Sequence, residues 1–96
     1  MDLASLLSQR RDDVLRIAER HGARNVRVFG SIARGTATST SDVDLLVEMD
    51  PGRTLLDHAA LKQELEELLG VRVDVVTEAA LHWSIRDQVL DEAVGV

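Results

Sequence analysis

The chain has 96 residues, 45% of them hydrophobic and 29% charged, with a net charge of −6 and no cysteine. That length fits one domain spanning residues 1–96 and excludes a second, while the ordinary globular composition and a mean hydropathy of −0.04 argue against disorder and against membrane insertion. The acidic balance and the presence of only two aromatics, Phe29 and Trp83, speak against direct nucleic-acid binding, which needs basic groups for phosphates and rings for bases.

Without cysteine there is no disulfide framework, no thiolate nucleophile and no Cys-based zinc site, and the N-terminus Met1-Asp2-Leu3-Ala4-Ser5 lacks the pattern of an export signal. A cytoplasmic location is the expectation. The charge is unevenly distributed: residues 1–35 carry seven Arg against four acids, and residues 36–96 carry four basic groups against thirteen acids. Such a split suits an anionic ligand at the N-terminal part and leaves a basic protein partner open for the remainder.

In chain order, Leu3, Leu6, Leu7, Val14, Ile17 and Ala18 fall at helical spacing, interrupted by Arg10, and predict an amphipathic helix over 3–21 that stops at Gly22. Val26 to Phe29 is a short β-branched strand run ended by Gly30. Val43 to Met49 is a longer one, bounded by Asp42 and the Asp50-Pro51-Gly52 turn. Thr54 with Asp57 reads as a capping box for a second long helix carrying Leu61, Leu65, Leu68 and Leu69 up to Gly70. Val71 to Thr77 alternates as a third strand, and Ser84 with Asp87 reads as a cap for a last helix through Ile85, Val89 and Ala93. The order α, β, short α, β, α, β, α predicts an α/β (α+β) chain with a small sheet flanked by helices. Connectivity alone leaves a parallel and a mixed sheet both open.

Three pieces of this pattern suit one task. A strand ending in Gly30-Ser31 and turning into a short helix exposes backbone N–H groups with no side chain in the way, a geometry that cradles phosphate, and Ser31 adds a hydroxyl. Asp42 and Asp44, two apart and ~6.6 Å along a strand, project from one face where hard cations can be shared between carboxylates, phosphates and water. Asp74, in the polar phase of the third strand, is the candidate for a third carboxylate. Each piece has a plainer reading: a turn with a helix cap for Gly30-Ser31, and a cap with a solvated strand face for the two Asp.

Gly30-Ser31, ten residues, then Asp42-Val43-Asp44, set within Gly-Ser-Ile-Ala-Arg-Gly and Ser-Asp-Val-Asp-Leu-Leu-Val, closely resembles the minimal nucleotidyltransferases of the polymerase-beta-like superfamily, over nearly the whole chain. The resemblance implies a mixed sheet of nucleotidyltransferase-like fold and Mg²⁺-dependent transfer of a nucleoside monophosphate, with ATP as substrate. It assigns Gly30 and Ser31 to the β- and γ-phosphates, Asp42, Asp44 and Asp74 to metal and catalysis, and Arg34 to triphosphate charge. Members of this family act as antitoxins paired with HEPN-domain ribonuclease toxins, some by adding AMP to a toxin tyrosine, so a HEPN toxin is the implied partner, with an oligomer formed with it. Two alternatives accompany this reading: an antitoxin that neutralises by contact alone, and an adenylyltransferase for a small molecule, for which the chain has little room. The chain has no Tyr, so a tyrosine acceptor belongs to another protein.

Other residues have structural expectations. Arg34 is equally suited to a salt bridge with the Asp cluster, Gly35 to a turn out of the short helix, and Trp83 to covering the core. His21, His58 and His82 are too scattered for a metal site. Arg86 and the Glu64, Glu66 and Glu67 cluster read as solvated helix faces.

Overall fold

The computed structural model describes residues 2–96. Helix α1 (Leu3–Gln9) starts on the Asp2 side chain, which accepts from the Ser5 N–H at 2.8 Å, and helix α2 (Arg11–Arg20) follows directly. The expected single helix over 3–21 is therefore broken at Arg10, whose ψ of 12° bends the axis. Leu3 and Leu7 on one segment and Val14 and Ala18 on the other all reach the core.

Strand β1 (Ala23–Phe29) begins three residues before the expected Val26. The early part was hidden because Arg24-Asn25 has no strand character. Asn25 adopts a positive φ of 50°, and the pairing register shifts between Arg24 and Arg27, the signature of a bulge. Helix α3 (Gly30–Arg34) is the expected short helix and exits through Gly35, and strand β2 (Val43–Met49) matches its expected bounds. Helix α4 (Leu55–Leu69) carries the capping box: the Thr54 hydroxyl accepts from the Leu56 N–H at 3.2 Å, and the Asp57 carboxylate accepts from the Thr54 N–H at 2.9 Å. Strand β3 is shorter than expected (Val73–Val76), and a 3₁₀ turn (Glu78–Ala80) leads to helix α5 (Trp83–Glu92).

Two details of the last helix differ from expectation. His82, not Ser84, is its N-cap, with Nδ1 accepting from the Ser84 N–H at 3.2 Å. Trp83 is 81% exposed and covers no core, because the first turn of α5 points away from the sheet and Val89 supplies the buried contact instead. After Ala93, which lies outside the helix, Val94–Gly95 forms a two-residue strand, β4, too short to leave a sequence signal.

The sheet runs β3-β2-β1-β4. β1 is antiparallel to β2 and β4, while β2 and β3 are parallel, so the sheet is mixed. The β2–β3 crossover is α4, which packs Leu61, Leu65 and Leu69 onto one face where Val28, Val43, Leu45, Val47, Val73 and Val75 meet α1 and α2. Each fully buried Leu there contributes about 1.5–3 kcal/mol of transfer free energy. The odd-numbered residues of β2 thus anchor the core, and the alternation of the pleat sends Asp44 to the opposite face. Among the described residues no helix is long and apolar enough to cross a membrane.

Candidate functional site

Register decides what meets on the open face. Phe29, the last residue of β1, pairs with Asp44, and Asp44 pairs across the parallel ladder with Asp74. The chain leaving β1 at Gly30 therefore lands beside one carboxylate while a second flanks it on the other side. Side chains directly opposite on neighbouring strands share a face, so Asp44 and Asp74 repel.

The approach of Gly30 to Asp44 leaves no room for a side chain. A Cβ at position 30 would lie 2.2 Å from Asp44 Oδ2, and Gly30 has a left-handed φ of 72°. Both facts favour glycine, since any other residue is strained and must displace the Asp44 carboxylate. The α3 turn is fixed by buried Ile32 and closed by Gly35, at φ 75°. Ser31 sits half-buried in its first turn, its carbonyl accepting from the Thr36 N–H at 2.9 Å.

Asp44 is half-buried and its carboxyl is pushed above the ordinary carboxylate value, first by burial, then by the charges of Asp74 and Asp42, with Arg34 opposing. Among the described residues neither Asp44 nor Asp74 belongs to an ion pair, and Asp42 has only a loose one, to Arg72 Nε at 3.9 Å. The donor set is three carboxylates with a deficit of cations, which suits a hard divalent ion. Among the described residues no three such groups converge on one point. Asp44 lies in a cleft of about 260 Å³ with Gly30, Arg34, Ile85, Gln88 and Glu92, whereas Asp42 and Asp74 share a neighbouring cleft of about 210 Å³ with Lys62 and Arg72. A shared ion therefore requires side-chain rotation to join the two clefts.

Of the residues singled out in the sequence, Gly30, Ser31, Asp42, Asp44 and Asp74 gather at one end of the sheet, and Arg34 stands beside them. Arg34 does not bridge to the Asp cluster. Its Nη1 donates to Glu92 at 3.1 and 3.3 Å, and the same carboxylate accepts from the Gly30 N–H at 2.9 Å. Glu92 was not singled out, although a signal existed: Ile85, Val89 and Glu92 recur at helical spacing, which places an acid on the inward stripe of α5.

The histidines are dispersed, as their spacing suggested. His21 pairs with Glu64, His58 donates to the Val75 carbonyl at 2.6 Å, and His82 caps α5. Glu64 and Glu66 are engaged and not merely solvated. Glu64 also pairs with Arg20, and Glu66 binds Lys62 at 2.9 Å and the Val73 N–H at 3.1 Å. Arg86 is half-exposed, 3.9 Å from Glu78.

Comparison with known proteins shows the family and the fold. The family described as Nucleotidyltransferase domain matches residues 10–96. MJ0435 of Methanocaldococcus jannaschii, provisionally named a protein adenylyltransferase, is 46% identical over 86% of this chain and 89% of its own. Protein adenylyltransferase MntA of Thermococcus cleftensis is 45% identical over 83% of this chain and 81% of its own. A solved structure described as a candidate minimal nucleotidyltransferase superposes with a TM-score of 0.88 at 57% identity, covering 100% of this chain and 97% of that one. A toxin-antitoxin structure with AMP-PNP shares the fold at a TM-score of 0.74 and 21% identity, over 88% of this chain and 69% of that one.

Proposed function

The chain belongs to the nucleotidyltransferase domain family, and from that premise we propose that it is a single minimal transferase domain that moves AMP from ATP to a tyrosine of a HEPN-type ribonuclease toxin. Acting so in the cytoplasm, where ATP is supplied, it serves as that toxin's antitoxin. The observation that carries this reading is the register that brings the Gly30 turn, Asp44 and Asp74 side by side. The protein adenylyltransferase names of two relatives above 40% identity, and a fold shared with an antitoxin complex, support the acceptor class and the partner.

On this reading the Gly30 N–H and Ser31 hydroxyl donate to the β- and γ-phosphate oxygens, and Arg34 balances their charge. Asp42, Asp44 and Asp74 would hold Mg²⁺, which when bound would supply positive charge for the triphosphate and the leaving oxygen. Asp74, exposed on the edge strand β3, is the carboxylate that takes the proton of the tyrosine hydroxyl. The new bond joins that oxygen to the α-phosphorus, the α–β bridging P–O bond breaks, and pyrophosphate leaves with the electron pair. The chain supplies no tyrosine and little acceptor pocket, so the toxin supplies both.

The test is incubation with α-labelled ATP, Mg²⁺ and the protein encoded beside it. Label is expected on a tyrosine of that protein and is expected to vanish with Asp42→Asn plus Asp44→Asn. Absence of label, or label that persists in the double variant, overturns the proposal. Toxin inhibition that persists in the double variant without ATP identifies the contact-only antitoxin instead.

A further inference from the structure

Glu92 holds the donors that the proposed reading gives to phosphate. Its Oε1 accepts from the Gly30 N–H at 2.9 Å and from Arg34 Nη1 at 3.1 Å, and its Oε2 lies 3.3 Å from the same nitrogen. A carboxylate offers what a phosphate edge offers: two oxygens, a negative charge and acceptors only. We propose that Glu92 is a built-in stand-in for polyphosphate, a positioning residue that keeps Gly30 and Arg34 aligned and must be displaced when a triphosphate binds. The inference rests on the nucleotide-binding reading of this site.

Three observations support a placeholder over a permanent strut. The Glu92 side chain is 16% exposed and covers a part-buried Gly30 N–H that would otherwise lack a partner, whereas Arg34 is 49% exposed and water can take the place of the carboxylate on its guanidinium. Glu92 is also the last residue of α5, followed by extended Ala93 and the two-residue β4, so its three side-chain torsions can swing outward without unravelling a long element. Finally, with Glu92 in place the cleft on the Gly30 side holds two carboxylates, Asp44 and Glu92, with the single guanidinium of Arg34, and the charge of Glu92 adds to the repulsion that Asp44 feels. A triphosphate adds further negative charge at this end, so its binding is favoured when the Glu92 carboxylate leaves and Arg34 is released to the phosphates.

The experiment is calorimetric titration of inorganic tripolyphosphate, in Mg²⁺ buffer, into the wild-type chain and into Glu92→Gln, with melting curves to establish that both are folded. Gln keeps the shape and loses the charge. A stand-in predicts binding about threefold to tenfold tighter in Glu92→Gln, the scale of one ordinary net hydrogen bond, and a lower KM for ATP with label transfer retained. Glu92→Ala, which empties the position, is expected to move in the same direction and serves if Gln perturbs folding. Binding that is unchanged or weaker in both variants overturns the proposal, as does binding by none of the three chains. Failure of the transferase reading is separate: tighter tripolyphosphate binding without label transfer by the wild type removes that reading and keeps this one.

Discussion

Gly30 and Gly35 bracket α3 with nearly the same backbone, φ 72° and 75°, yet a Cβ at Gly30 would stand 2.2 Å from Asp44 Oδ2 and one at Gly35 meets no atom within 4 Å. Replacing either by Ala imposes the left-handed penalty of about 1–2 kcal/mol, which lowers Tm by roughly 5–15 °C in a domain of this size. The added clash at Gly30 falls on the free end of a short side chain, so its stability cost is small, about 1 kcal/mol or less for an off-rotamer carboxylate. Its functional cost is not small. Asp44 must rotate by more than an ångström away from the turn, and misplacement on that scale lowers a transfer rate by about 10²-fold. Melting by fluorescence and label transfer from ATP, run on the two variants in parallel, separate these effects: similar Tm losses, with transfer lost in Gly30→Ala and retained within a few-fold in Gly35→Ala. Equal transfer in the two variants would refute the claim that the Gly30 turn and Asp44 work as one site.

Two further outcomes follow from the charge cluster and the sheet edge. Asp44 and Asp74 stand opposite each other about 5 Å apart, where two like charges repel by about 3 kcal/mol at an effective dielectric of 20 and under about 1 kcal/mol in water; with Asp74 exposed, Asp44→Asn is expected to gain about 1 kcal/mol at pH 7 in metal-free buffer, or 4–8 °C in Tm. Because the folded state raises the Asp44 pKa, it holds that proton more tightly than the unfolded chain does, so stability falls as pH rises through the Asp44 titration and the gain from Asn disappears in acid; a gain that grows in acid would contradict this. At the outer edge of β3, Lys62 donates to the Val73 carbonyl at 2.9 Å, Glu66 accepts from the Val73 N–H and His58 donates to the Val75 carbonyl, so a stripe of α4 at i, i+4, i+8 occupies the edge. Lys62→Ala with Glu66→Ala should open that edge and give concentration-dependent self-association by light scattering, whereas a strictly monomeric variant would show that the stripe does not guard it.

Much of this arrangement was legible in the chain because glycine, aspartate and alternation carry local physics. Val43 to Met49 shows its core face and its acidic phase directly, and Gly30 announces a left-handed turn that glycine takes without strain. What escaped depends on contacts between distant segments. Glu92 reaches Gly30 across 62 positions, β4 exists only because β1 offers an edge, and the bulge at Asn25, a residue type that takes positive φ readily, is defined only by pairing with β2. Trp83 misled for a related reason: a large aromatic beside a helix start suggests core, but which way the first turn faces is set by where Val89 must pack. The third carboxylate was a matter of strand phase alone, and the parallel register of Asp44 with Asp74 came from the α4 crossover.

On the proposed reading, Asp42, Asp44 and Asp74 act with the Gly30-Ser31 turn as one metal and triphosphate site. Its most direct test is anomalous diffraction from crystals grown with Mn²⁺ and a non-hydrolysable ATP analogue. Mn²⁺ is expected within about 2.1 Å of carboxylate oxygens of Asp42 and Asp44, with the terminal phosphates on the Gly30 N–H and the Ser31 hydroxyl and the Glu92 carboxylate turned away. Manganese bound elsewhere, or a triphosphate that leaves Gly30 and Ser31 untouched, would contradict it.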